Sequence, residues 1–265
     1  MTHKIISVVI LLTTAAAATA DRSIDDAPLP ACWSELMLLS LDLKSSINSD
    51  EWDARKVAEG KAQLREVIEA KDFDCPDYAE LYSVPASRKL KHSLIGIAVL
   101  ADSPQVITNH RELVHDGIRN GEDLEDFGLF AHLAAAFESH NSLVALADIG
   151  VDVTRNDHWG RTPIHAARTR TMDGIRNVAL LARAGVDLDA KVPEGLTALL
   201  MSYLRQEFDL SVCLRLLGAT EPSHADYMYW AKMKKDNVFF AEDKFAINDE
   251  MLSHSVTQIE QFCGE

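Results

Sequence analysis

Glycine falls on a grid in this chain. Gly128, Gly160 and Gly195 stand 32 and 35 residues apart, and Gly117, Gly150, Gly185 and Gly218 stand 33, 35 and 33 apart. Two glycine series holding a step of about 33 mark a supersecondary unit copied along the chain. One such unit cannot bury its apolar face alone, so neighbours must stack. The grid therefore points to a quasi-one-dimensional array rather than a single closed core.

The unit is clearest in the middle. It reads Asp157-His158-Trp159-Gly160-Arg161-Thr162-Pro163-Ile164-His165-Ala166-Ala167, and it closes on Gly185-Val186-Asp187-Leu188-Asp189-Ala190. Gly160 and Gly195 suit a turn that needs φ > 0. Thr162 suits a helix N-cap, and Pro163 suits the first helical position, where an N–H has no helical partner. Ala166 and Ala167 allow close helix approach. Leu180 and Leu181 are expected to bury between units, and Gly185 to end their helix in a left-handed cap.

These residues resemble the ankyrin repeat, with its Asp-x-x-Gly-x-Thr-Pro-Leu-His-x-Ala opening and Gly-Ala-Asp-Val-Asn close. The resemblance implies an all-α ankyrin-repeat solenoid of helix-turn-helix units with short hairpin fingers. It places repeats over residues 88–222, three clear and one degenerate, the last with helices at Ser93–Ala101 and Val106–Asp116. Residues 21–87 and 223–265 are then N- and C-terminal helical caps. It also implies that His132 and His165 bond to neighbouring turns. There are departures. Gly128 lacks a following Thr-Pro and lies four residues before His132, whereas Gly160 lies five before His165. The Gly195 unit has neither Pro nor His. The longer span from His165 to Gly185 puts about two extra residues within Arg168–Asp173.

Lys4, the apolar run Ile5–Leu12 and Ala18-Thr19-Ala20 read as a signal peptide over residues 1–20, cleaved on export. The periplasm is the expected address and secretion the alternative; the absence of any Asn-x-Ser/Thr sequon leans weakly to a bacterial source. Leu29-Pro30-Ala31-Cys32 mimics a lipobox, but Asp21–Asp26 separates it from the apolar run, which argues against a lipid anchor. In an oxidising setting Cys32, Cys75, Cys213 and Cys263 form an even set with three possible connectivities. Chain order favours Cys32–Cys75 and Cys213–Cys263.

A formal charge of −15 disfavours nucleic acid and anionic membrane surfaces as partners. The ten histidines form no His-Glu-x-x-His, and neither a Gly-x-Ser-x-Gly nor a phosphate loop occurs. Glu66 and Glu69, three apart, suit a solvated helix face. No enzyme activity, cofactor or metal is implied. Trp33, Leu36, Leu39 and Leu43 recur at helical spacing, as do Val57, Leu64, Val67 and Ile68. Near the C-terminus Tyr227, Met228, Trp230 and Ala231 suggest one helix and Leu252, Val256, Ile259 and Phe262 another, with Phe239, Phe240 and Phe245 between.

The resemblance implies a protein partner held by fingers and inner helices, and a chain that is monomeric on its own. Matched positions are Arg155, Asn156, His158, Trp159 and Arg161 on one finger, Arg168 and Arg170 after its inner helix, and Lys191 and Glu194 on the next finger. Trp and Arg dominate interface energetics, which singles out Trp159 beside Arg161; Trp159 packing on the neighbouring finger is the competing reading. The cluster Arg161, Arg168, Arg170 and Arg176 suits an acidic loop of a partner, or pairing with Asp173 and Asp187. The expected function is stoichiometric binding that neutralises a toxin or protects or assists a periplasmic enzyme. The alternative is a secreted effector that binds a host protein.

Overall fold

The computed structural model describes residues 31–47, 52–70, 95–112, 114, 124–157, 159–223, 225–226 and 252–264. The signal segment, the lipobox mimic apart from Ala31 and Cys32, Gly117, Cys75, His158 and the aromatic stretch 227–251 lie outside them. The described residues are helical, with no strand among them. The helices are α1 Ala31–Ile47, α2 Ala54–Ala70, α3 Pro104–Asn109, α4 Leu124–Ala136, α5 His140–Asp148, α6 Pro163–Ala166, α7 Met172–Arg183, α8 Ala198–Arg205, α9 Phe208–Leu216 and α10 Val256–Cys263. Residues 95–100, also helical, precede α3.

Among the described residues from 95 to Leu216 the helices come as four consecutive pairs. They pack in two layers: α4, α6 and α8 touch in series, and α3, α5, α7, α9 and α10 form the second row. The amphipathic α7 shows why. Ile175, Val178, Ala179 and Leu181 are buried and Arg176 and Arg183 lie outward, so one stripe closes against both rows. Leu180 is only partly buried.

Each of the last three pairs ends alike. Gly150, Gly185 and Gly218 adopt φ of 85°, 92° and 93°. Their N–H groups donate to Ala147, Ala182 and Arg215 carbonyls, and the following Val151, Val186 and Ala219 donate to Leu146, Leu181 and Leu214 at 2.9–3.1 Å. This is a Schellman close, with the residue after the glycine buried on the helix it terminates. Gly128 departs from the expected grid. It lies inside α4, which begins at Leu124, so no left-handed turn forms there.

The turns between paired helices form the opposite edge. Asp102, Glu138 and Gln206 sit there with φ of 54°, 53° and 59°. The third pair differs because residues 167–171 form a longer link between α6 and α7, where the sequence places its extra residues. The carboxylates on this edge reach into the next pair. Asp102 accepts from the Ser142 N–H and Asn141 Nδ2 at 2.8 Å, serving α5, whose own N-cap Ser139 makes no side-chain cap bond. Glu138 accepts from Thr171 N–H at 2.9 Å at the start of α7. Asp209 accepts from Ser253 N–H and His254 Nδ1 ahead of α10.

The N-terminal helices do more than cover the first pair. Arg65 donates twice to Ala101 O, and Ser103 Oγ donates to Glu69 at 2.6 Å. Lys61 Nζ donates to Phe137 O and Glu138 O in the second pair. Arg170 of the third donates to Ile47 O and lies 5.6 Å over Trp52. A helix of 17 residues such as α2 is about 25 Å long, enough to lie along three successive turns. At the other end, Cys213–Cys263 pins α10 to α9, as chain order favours. The Cys32–Cys75 pairing lies outside the described residues.

Candidate functional site

The finger ahead of α6 is organised by one carboxylate. Asp157, with its side chain wholly buried, accepts from the Trp159 and Arg161 N–H groups at 2.9 Å and from Arg161 Nε at 2.6 Å. Asp157 N–H donates to Arg161 O and Gly160 N–H to Asp157 O, which closes the hairpin with Gly160 at φ 73°. The next finger repeats the backbone pattern, Val192 N–H to Leu196 O and Gly195 N–H to Val192 O, without the carboxylate.

His132 ties a finger to the inner helix behind it, whereas the His165 side chain bonds only its own Thr162 and not the expected neighbouring turn. His132 Nε2 lies 2.8 Å from Arg161 O, the neighbouring finger. His165, one unit on, accepts the Thr162 N–H on Nδ1 at 3.1 Å, so its proton sits on Nε2. That nitrogen is buried without a partner at hydrogen-bond distance, although the Leu196 and Ala190 backbone lies near enough to favour the charged ring. Burial outweighs this and holds the imidazole below its usual range, hence neutral.

Trp159 is 38% exposed, with the Arg161 guanidinium 4.4 Å from its ring centroid. The pair presents a flat aromatic with a cation laid across it. Arg161 is fixed from below by Asp157, so the platform is held before any partner arrives.

Arg168 and Arg161 both act on Arg205, a residue that nothing in the sequence singles out. Arg168 Nη1 bonds Glu207 Oε1. Arg205 Nη1 donates to His165 O at 3.3 Å and lies 3.9 Å from Glu207 Oε2. Burial lowers the Arg205 pKa; Glu207 opposes this, and the Arg168 and Arg161 charges add to the lowering.

The other expected contacts are placed elsewhere. Arg170 sits on the turn edge against Trp52, and Arg176 pairs with Asp173 at 3.0 Å and lies over Phe262. The basic cluster expected from sequence is thus divided, and Asp173 takes one member. Asn156, Lys191 and Glu194 are exposed and Arg155 is half-buried. Arg205 follows no repeat position and its approach to Arg161 depends on stacking, so no local sequence signal marks it.

Among the described residues no three His, Cys, Asp or Glu side chains cluster as metal ligands, and no helix is long and apolar enough to cross a membrane.

No family model matches the chain. It is similar to the Neurogenic locus notch homolog protein 1 of Mus musculus, 31% identical over 102 residues, 38% of this chain and 4% of that protein. It is similar to the Neurogenic locus notch homolog protein 2 of Homo sapiens, 32% identical over 101 residues, with the same coverage. The Neurogenic locus Notch protein of Drosophila melanogaster is 37% identical over 71 residues, 27% of this chain and 3% of that protein. The chain thus spans only a few per cent of the length of these relatives. The longer matches extend over about three of its repeat periods.

Proposed function

We propose that this chain is an ankyrin-repeat module that holds another protein by stoichiometric binding, exported to the periplasm, where it neutralises a toxin or protects or assists an enzyme. The observation that carries the reading is the half-exposed Trp159–Arg161 platform, fixed by a buried Asp157 on a finger between stacked helix pairs. Interface energy concentrates on Trp and Arg held in advance of binding, because less ordering is then required. The similarity to the Notch homologues over about three periods supports a repeat module, and the paired helices with Schellman closes agree with it.

The test is co-purification of the tagged full-length chain from its native cell, after fractionation, beside a Trp159→Ala variant. One stoichiometric partner in the periplasmic fraction, lost from the variant, is the expected result. Absence of any partner sinks the resident-binder reading and favours the secreted effector. Arg161 is a poor choice for this test, since its removal also strips Asp157 of its bond.

A further inference from the structure

The face that joins the third and fourth helix pairs carries more cationic character than its own carboxylates balance. Arg205 lies within the field of both Arg161 and Arg168, with Asp157 and Glu207 as the acids these three bond or approach. Asp157 is wholly buried and closes its own finger, so it offers no further oxygen. That leaves Glu207 between two guanidiniums.

We propose that this face receives an acidic, extended segment of a protein partner, whose carboxylates engage Arg168 and Arg205 next to the Trp159–Arg161 platform. The inference rests on the protein-binding reading and names the chemistry of the partner. Three observations carry it. First, Arg205 is under-satisfied. A guanidinium has five N–H donors, yet among the described residues Arg205 makes one hydrogen bond, at 3.3 Å, and its approach to Glu207 at 3.9 Å is beyond hydrogen-bonding distance. Second, burial chiefly disfavours its charge; Glu207 opposes this, the like charges of Arg168 and Arg161 add to it, and a bound anion would offset both burial and repulsion. Third, the Arg168 and Arg205 side chains keep 34% and 28% of their surface exposed, so a ligand can reach them. Glu207 occupies the place such a ligand's carboxylate would take, with Oε2 buried and lacking a hydrogen bond. In a chain of formal charge −15, a local cationic patch also sets the register of an acidic strand, because the surrounding surface repels it.

The probe is a labelled oligoglutamate peptide, compared with oligoglutamine of equal length by fluorescence anisotropy on the full chain at low salt. Oligoglutamate is expected to bind at least about tenfold more tightly and to weaken with added salt. Arg168→Gln is expected to weaken it several-fold. Glu207→Gln, which removes the internal competitor, is expected to tighten it. Opposite responses from two neighbouring variants cannot come from loss of fold, and a thermal melt of each accompanies the titration. Equal binding of the two peptides, absence of oligoglutamate binding, or a Glu207→Gln variant that binds no better while folded would overturn the inference. A partner captured in the co-purification that is indifferent to Arg168→Gln would sink this proposal alone and leave the binding module standing.

Discussion

The two edges of the helix stack treat charge in opposite ways. On the turn edge, Asp102, Glu138 and Asp209 are buried and each bonds across to the next helix, while Lys61 and Arg65 come from the N-terminal helices to meet the carbonyls there. On the finger edge, Asp157 serves its own hairpin, and the Arg and Trp side chains beside it stay partly exposed. Buried polar groups are tolerated only when paired, and breaking one pair leaves a desolvated partner behind. The buried carboxylates of the turn edge therefore hold the stack together, and the part-exposed side chains, Trp159 and Arg161 on the finger and Arg168 and Arg205 beside Glu207 at the turns, are where something outside the chain can be met.

The largest effect should follow from crowding the turn edge at Gly174. A Cβ there would overlap the Arg168 carbonyl oxygen and lie 2.6 Å from Glu138 Oε1, both fixed by the link between α6 and α7. Gly174→Ala is expected to cost about 3 kcal/mol in urea denaturation through overpacking of this kind; a neutral result would mean that the turn edge is soft.

Next comes Lys61→Met, which leaves Phe137 O and Glu138 O without their donor. A loss of about 2 kcal/mol is expected, against a change near zero for Lys191→Met on the finger edge. Similar values at the two sites would erase the contrast.

A smaller, pH-dependent effect belongs to Glu138. Burial raises its carboxyl pKa, more than the Thr171 N–H and Lys61 lower it. The folded state thus binds that proton more tightly than the unfolded chain. Its contribution is full below the unfolded pKa and is lost as pH rises through the folded one. Glu138→Gln should remove a downward slope of at most about 1.4 kcal/mol per pH unit across the weakly acidic range. Parallel stability profiles for the two proteins would contradict it.

The smallest effect has the opposite sign. Gln206 is exposed and left-handed, so Gln206→Gly should raise stability by up to about 1 kcal/mol. Asp102→Gly relieves the same conformation yet should destabilise, because the Ser142 N–H loses its acceptor. Thermal melts of the pair would separate backbone strain from bonding.

These comparisons also mark what could be read from the sequence. Gly150, Gly185 and Gly218 announce their helix ends because only glycine adopts that conformation freely, and the extra residues near Arg168–Asp173 announce themselves by spacing. The turn edge carries no such flag. Its left-handed residues are Asp, Glu and Gln, which look like ordinary surface positions until their neighbours are placed. Gly128 misleads for the converse reason: a helix interior tolerates glycine, so a residue on the grid need not lie in a turn. The hydrogen bonds of Lys61 to Phe137 O and of Arg205 to His165 O span 76 and 40 positions, and no local pattern records such contacts.

A stack of repeats ordinarily grows by adding each unit to its neighbour, and folding can begin anywhere along it. The hold of the N-terminal helices on three successive turns changes that order. Ile47 meets Arg170 across 123 positions, and Lys61 meets Phe137 across 76, so these bonds close only after the intervening units exist. Closing such long loops is slow compared with the local contacts of a repeat. The chain should therefore fold late at its beginning: α1 and α2, made first, wait for the third helix pair before they find their place.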